Sequence, residues 1–450
     1  MKKKLISLLL VGVMCLSVFT GCGKKQTSNQ VNGNKNNATD SVQETEKEEP
    51  VTISVLLHSS WRTDATNAAF KAIEEKENVK FEFEEVAEGD AGEQIIFAKM
   101  ATHDVPDILW WQSAGAANIK MGADKFEDLS GDWMKNYDEN ALKTSSYTID
   151  DRLIRAPFGE AVVYGVCYNK QIFKDNNLEI PNTWDEMVAI MDKLKDTGII
   201  PMYYSGNDPW TLQIMPLDSF AKEGKKRGDV QQLIDGLNTN KIKWTDLTEV
   251  KDALNKTKSM LDDGYVQETF LSDTYQDAQQ ALLDGEAAMY IHATWITNEL
   301  EKLTSDVEEL DNLGFFPIPM NDETKVSAFI TPNGFYVPKK AKHKDLAKKI
   351  VMELSGKTAA EAYFNAKPGI PFIKGITVDN LYGIQKDAAA IIDSGNTLPP
   401  AIDYIKYSAG TFDTYIADIL VENMTVDDML KLIDEGFEKQ ALDLGDENWK

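Results

Sequence analysis

Val51-Thr52-Ile53-Ser54-Val55-Leu56-Leu57 is the run on which the fold turns. Rich in apolar and β-branched residues, it reads as a buried strand. Asp64 to Glu77 follows, with Ala68, Ala69, Ala72 and Ile73 at helical spacing. Val79, Phe81 and Phe83 then alternate with Lys80, Glu82 and Glu84, the signature of a half-buried strand. Gly92 to Thr102 reads as a helix, and Pro106-Asp107-Ile108-Leu109-Trp110-Trp111 as a strand. This β-α-β-α-β rhythm implies a parallel sheet covered by helices, an α/β fold.

Further along, the rhythm restarts after Arg155-Ala156-Pro157. Val162 to Tyr168 reads as a strand. Thr183-Trp184-Asp185-Glu186 is a capping box opening a helix with Met187, Ile190, Met191 and Leu194 inward. A helix from about Ser272 stops at Gly285, and the strand Ala287 to Ile291 follows at once. Strands are expected at Gly314 to Ile318 and near Gly334 to Val337, and helices from Lys344 to Leu354 and from Thr425 through Phe437. About 400 residues in two such series exceed one ordinary core and suggest two lobes.

Before Val51, the chain changes character. Gly23 to Pro50 is almost all polar, with Val31 and Val42 nearly its only large apolar residues, which predicts a flexible linker. Ahead of it, Lys2, Lys3 and Lys4 precede the apolar run Leu5 to Phe19 and then Thr20-Gly21-Cys22. A basic start, a short apolar core and small residues at the exit describe a secretory signal peptide, residues 1–21. Its ~15 apolar residues fall short of the ~20 that span a bilayer. The cysteine after the small pair resembles the lipobox of bacterial lipoproteins, although Phe19 stands where Leu is usual. That resemblance implies a lipidated (palmitate-bearing) Cys22 at the head of the 22–50 linker, and a fold tethered to the outer face of a cell membrane, as in Gram-positive bacteria.

The chain carries 47 Lys+Arg against 73 Asp+Glu, a formal charge of −26, and loss of the leader lysines takes this to about −29. Such acidity argues against nucleic acid or an anionic membrane surface as partner. Of three cysteines, only Cys167 belongs to the folded part, so no disulfide is expected within it. Ser355-Gly356-Lys357-Thr358 looks like the end of a phosphate loop. The glycine such a loop needs five residues before Gly356 is replaced by Val351, so a helix end followed by a new helix start is the better reading. His58, His103, His292 and His343 lie far apart, without the paired spacing of a zinc site. No metal, cofactor or nucleophile signature emerges.

Several segments in order resemble the carbohydrate-type extracellular solute-binding proteins of ABC importers, the maltose-binding-protein-like receptors. They are His58-Ser59-Ser60-Trp61; Met100-Ala101-Thr102-His103-Asp104-Val105-Pro106-Asp107-Ile108; Tyr164 through Phe173; Ile180-Pro181-Asn182-Thr183-Trp184-Asp185-Glu186; Gly285 through Trp295, with Ala293 where glycine is common; and Lys339 through Ala347. The resemblance implies two lobes joined by crossing strands near Pro157 to Val163 and near Phe315 to Pro319, with a hinge and a ligand cleft between them. Lobe 1 would hold 51–160 and about 315–370, and lobe 2 would hold 161–314 and about 371–450. It further implies a monomeric, non-enzymatic receptor that delivers a mono- or oligosaccharide to membrane permease subunits.

A sugar ring offers an apolar C–H face to a flat aromatic and a polar rim to Asp, Glu, Asn and Arg. Nine tryptophans are available. Trp184 reads as packing at a helix start. Trp61, Trp110, Trp111, Trp210 and Trp295 lie at or just after strand ends, where a cleft would be; each is otherwise a core residue, and Trp295 leads. Glu160 and Asp107 are candidate hydroxyl acceptors, Asp107 alternatively a turn cap. Asn333, in Thr331-Pro332-Asn333-Gly334, is placed to reach from a third crossing, and Tyr404 and Tyr407 stand further back. Two alternatives stay open: a tethered glycan hydrolase, which needs two carboxylates roughly 5–9.5 Å apart, and a receptor for another polar solute or a peptide.

Overall fold

The computed structural model describes residues 49–450 apart from 88–89, 103, 145, 322–326, 400–404, 408 and 411. Cys22 and Tyr404 lie outside the described residues. The described strands, in chain order, are β1 (Val51–His58), β2 (Val79–Val86), β3 (Ile108–Trp111), β4 (Thr148–Ile149), β5 (Arg152–Leu153), β6 (Ala156–Pro157), β7 (Val162–Asn169), β8 (Ile200–Met202), β9 (Ala287–Ala293), β10 (Leu313–Phe316), β11 (Ser327–Ile330), β12 (Gly334–Tyr336) and β13 (Thr397–Leu398).

The opening run becomes an inner strand of the first sheet, ordered β2-β1-β3-β12-β6. β1 pairs in parallel with β2 and β3, as the β-α-β-α-β rhythm requires. The helix Asp64–Glu77 between β1 and β2 starts at a capping box, in which Thr63 Oγ1 accepts from Thr66 N and Thr66 Oγ1 accepts from Thr63 N. It ends at Asn78 in the left-handed region, φ 50°. Ala65, Ala69, Phe70 and Ile73 form its buried stripe. Pro157, which cannot donate to a ladder, sits in β6 at the sheet edge.

The second sheet runs β13-β11-β7-β9-β8, with β10 also on β7. β7 and β10 approach so closely that a Cβ on Gly165 would lie 2.3 Å from the Phe315 ring, and one on Gly314 2.3 Å from the Tyr168 ring. Trp244, Phe220 and Phe437 anchor the core on this side. Thr183 caps its helix as expected, accepting from Glu186 N at 3.2 Å, but Glu186 reaches back to Asn182 N rather than to Thr183. Gly356 stands at the start of the helix Lys357–Ala366, directly after the helix Lys344–Leu354.

Among the described residues, three connections join these two sheets. The first is Phe158–Ala161, between β6 and β7, and the second is Thr331–Asn333, between β11 and β12. The third follows the helix Lys357–Ala366 and passes beside the first, where Ala161 N donates to Ile370 O at 2.8 Å and Glu160 bridges to Pro371. The second connection lies at Thr331–Asn333 and not at Phe315–Pro319, because β10 and β11 both pair with β7. Asp218, buried in the helix Ile214–Lys226, accepts from Ala328 N at 2.7 Å and holds β11 to the second sheet. An apolar strand pattern reports burial and carries no information on which sheet supplies the partner.

Candidate ligand-binding site

The strand directions define where a ligand can sit. β1 and β3 run parallel, and β12 runs against β3, so Gly334 lies at the carboxyl end of β3, opposite Trp111. In the second sheet β8 runs with β9 and β7 against it, which puts Val162 and Tyr164 beside the carboxyl end of β9. The first two connections therefore join the carboxyl edges of both sheets, the edges at which open α/β sheets bind ligands. Gly159, with φ +106°, sits in the first connection in a conformation that disfavours any Cβ.

On the first edge, β1 passes into the turn Ser59–Trp61. Trp61 is half-buried, its ring 5.3 Å from Trp110 and 4.9 Å from His58. His58 Nδ1 is 3.1 Å from Ala87 O, which ties the end of β1 to the segment after β2. Trp110 and Trp111 fall inside β3 and are only 5% and 1% exposed. Alternation sends Trp110 to the face shared with Phe70, Phe158 and Phe335, and Trp111 to the opposite face beside Phe97. Both tryptophans are core residues in this structure. Asp107 lies at the start of β3, the end away from this edge. It accepts from Ser54 N, Ser54 Oγ and His343 N at 3.1, 3.2 and 2.7 Å. Burial pushes its carboxyl up, yet the bonds from His343 and Ser54 outweigh that and hold it below the usual carboxylate range. It is a clamp between β1 and the start of the helix Lys344–Leu354, with partners far away in the chain rather than in a local turn.

The second edge is built differently. β9 ends at Ala293, and Thr294–Ile296 forms a tight turn before the helix Thr297–Leu303. Trp295 is the half-buried residue of that turn. The segment after β8 leads to a second short turn, Pro209–Gln213, which carries half-buried Trp210. Several bonds fix this loop: Ser205 Oγ lies 2.7 Å from Tyr290 Oη and 2.8 Å from Thr211 Oγ1, and Asp208 accepts from Tyr275 N at 2.7 Å. The two indoles meet at 6.5 Å with 38° between planes, and Trp295 also meets Tyr164 edge-on at 6.0 Å.

Beneath the indoles lies His292, fully buried. Its ring lies nearly parallel to those of Tyr275 (4.7 Å, 18°) and Tyr290 (5.0 Å, 17°), whose own centroids are 6.5 Å apart. Burial pulls its imidazole down to about 3, so it is neutral at physiological pH. Sequence reasoning missed His292 and Tyr275 as parts of this wall. The available signal was the alternation Tyr290-x-His292 two and four residues after Ala288, which places both rings on one face of β9.

Between the edges, Glu160 Oε1 accepts from Asn298 Nδ2 at 3.1 Å and lies 3.7 Å from Lys367 Nζ. Its carboxylate thus joins the first connection, the helix Thr297–Leu303 and the third connection. Asn333 is half-buried in the second connection, and its carbonyl accepts from Phe158 N at 3.1 Å. Arg155, buried beside them, donates from Nη2 to Pro332 O at 2.7 Å and to Thr331 Oγ1 at 3.2 Å, and its guanidinium lies over Tyr147. Tyr407 is buried and bonds to Asp446 at 2.6 Å, beside Phe437 and Trp449. Cys167 is buried in β7, and burial pushes its thiol up, out of nucleophilic range. Among the described residues no three His, Cys, Asp or Glu side chains gather to hold a metal ion, and no helix is long and apolar enough to cross a membrane.

Residues 68–432 match the family model described as bacterial extracellular solute-binding protein. The chain is 27% identical to an uncharacterized ABC transporter extracellular-binding protein of Pyrococcus horikoshii, over 97% of this chain and 99% of the relative. It is 24% identical to the multiple sugar-binding protein of Streptococcus mutans, over 75% of this chain and 79% of the relative. Among solved structures, a chitin oligosaccharide binding protein superposes with a TM-score of 0.69 at 20% identity, over 87% of this chain and all of that one. Two sheets joined edge to edge and a family match over most of its length place this chain in the bacterial extracellular solute-binding protein family.

Proposed function

We propose that this chain is the receptor of an ABC importer, which captures a saccharide between its lobes and hands it to membrane permease subunits without a catalytic step. One observation carries the choice of ligand: half-buried Trp210 and Trp295 share one edge of the second sheet, and half-buried Trp61 stands on the joined edge of the first. An indole covers the C–H face of a sugar and leaves its hydroxyl rim to polar groups. Asn333, in the second connection, is the polar residue best placed for that rim. The sugar-binding relative from Streptococcus mutans supports the same ligand class. Work is done by differential affinity: a ligand that touches both edges favours the closed arrangement over the open one. Cys22 is the proposed lipid attachment point, holding the receptor at the outer face of the membrane, where each buried CH₂ of an acyl chain contributes ~0.8 kcal/mol.

Titrating a panel of mono- and oligosaccharides by calorimetry tests the reading, with a product assay run on the same samples. Saturable binding of an unchanged sugar is the expected result. Cleavage of the glycan would replace the receptor with a hydrolase, and binding confined to non-sugar solutes would replace the ligand class. Small-angle scattering should show the radius of gyration fall at saturation; an unchanged radius removes hinge closure. A Cys22→Ala chain that still sediments with membranes after a high-salt wash would remove the lipid anchor.

A further inference from the structure

The aromatic wall of the second lobe holds more detail than a single stacking residue requires. His292 lies nearly parallel to Tyr275 at 4.7 Å and to Tyr290 at 5.0 Å. Both indoles cross the imidazole plane, Trp210 at 5.5 Å and 71°, and Trp295 at 5.4 Å and 84°. A ring edge carries positive charge and an indole face negative charge, so the two crossings are attractive. The buried Nε2 has no hydrogen-bond partner among the described residues. A buried polar atom left in that state is costly, ~1–3 kcal/mol, unless an N–H directed at an aromatic face offsets part of the loss. A phenylalanine would fill the same slot without that cost. His292 thus touches both indoles, whose centroids are 6.5 Å apart and whose planes differ by 38°, and Tyr275 backs it, 5.0 Å from Trp210. Two independent platforms would need no common support. Two platforms that must hold a set mutual angle do.

We propose that Trp295 and Trp210 are a tandem platform for two consecutive pyranose rings, and that His292 is the positioning residue that sets the angle between them. The ligand is then a disaccharide or longer. Rings joined through a glycosidic bond do not lie in one plane, and a 38° step between adjacent platforms follows such a bend. This rests on the saccharide reading above and adds chain length and the role of His292.

The test is the affinity ratio of a disaccharide to its own monosaccharide, measured by calorimetry. The probes are three series: N-acetylglucosamine with diacetylchitobiose, glucose with maltose, and galactose with melibiose. In the native chain at least one disaccharide should bind roughly tenfold tighter than its monosaccharide or better, the increment of one added stacking contact. Trp210→Ala should bring the ratio to within about threefold of unity, by weakening the disaccharide more than the monosaccharide. His292→Leu retains volume and removes the flat rim, and it should lower the ratio in the same direction, whereas His292→Phe should restore it. A purely structural role for His292 would weaken both ligands together and leave the ratio unmoved, which overturns the positioning claim. A monosaccharide that binds as tightly as its disaccharide, or a ratio untouched by Trp210→Ala, overturns the tandem platform while leaving the saccharide reading intact. If no sugar in the panel binds at all, both readings fall together.

Discussion

Trp110 and Trp111 close β3 of the first sheet, and Trp210 and Trp295 follow β8 and β9 of the second. In the sequence these two pairs look alike, as tryptophans at the ends of apolar strands. In the structure Trp110 and Trp111 are 5% and 1% exposed, while Trp210 and Trp295 are half-buried. The difference is one of position: Trp295 follows the end of β9 at Ala293 by two residues, and Trp210 follows the end of β8 at Met202 by eight. Trp110 and Trp111 still belong to the ladder, paired with Phe335 and Gly334 of β12, and the layers on both sides of the sheet cover them. Trp210 and Trp295 lie beyond the last ladder residue, in short turns that leave them half-buried. A strand end thus separates residues that stabilise from residues that can recognise, and the break between them is sharper than composition suggests.

The strongest challenge to this comparison is Trp111→Ala. A core indole on the covered face should cost ~3–5 kcal/mol of stability, read from urea unfolding, and leave the affinity of the folded fraction near normal. A stability loss below ~1 kcal/mol would remove the distinction between the two pairs. Asp107→Ala comes next. It leaves the donors of Ser54 and His343 without their acceptor, at ~1–3 kcal/mol each. Because the folded carboxyl titrates below its unfolded value, its contribution is fully present above the unfolded pKa of about 3.9. It is lost as pH falls through the folded value. Asp107→Asn should flatten that acidic part of the stability curve, and an identical curve would show that the clamp carries no linkage.

Smaller and of opposite kind is the effect of Trp295→Ala. It should cost ~1–3 kcal/mol of sugar binding, about ten- to a hundredfold in affinity, with little change in the melting temperature of the free protein. A large drop in melting temperature at near-normal affinity would move Trp295 into the core beside Trp111. Trp61→Ala sharpens the comparison at its weakest point, since Trp61 packs against Trp110 and His58 and is also open to the first edge. We expect a mixed result of about 1 kcal/mol in each of stability and binding; a loss in stability alone would leave the second lobe as the sole aromatic wall.

How far the sequence reaches varies along the chain. Around Val51 to Trp111 the elements and their order were legible, because a βαβ unit is local: a strand period of two and a helical stripe lie within one stretch. Glu160 was legible as a special position but not in its surroundings. Its partners Asn298 and Lys367 come from distant parts of the chain, and together they tie the first connection to the third. His292 carried almost no signal, since a lone histidine in an apolar strand reads as core, which it also is. Its contact with both indoles exists only because β9 delivers Tyr290 and His292 to one face and the loop after β8 brings Trp210 over them.

The sequence by itself determined the α/β class, the two series of strands and helices, and the cap at Thr183. These follow from periodicity and residue type, properties that need no knowledge of what lies across the core. Only the tertiary structure decided that β10 and β11 belong with β7, that the chain returns through Thr331–Asn333, and that of five strand-end tryptophans two are buried and three half-buried. The physical reason is common to all three. Strand partners and covering layers are supplied by residues far away in the chain, and an apolar side chain is equally satisfied by any of them until packing selects one.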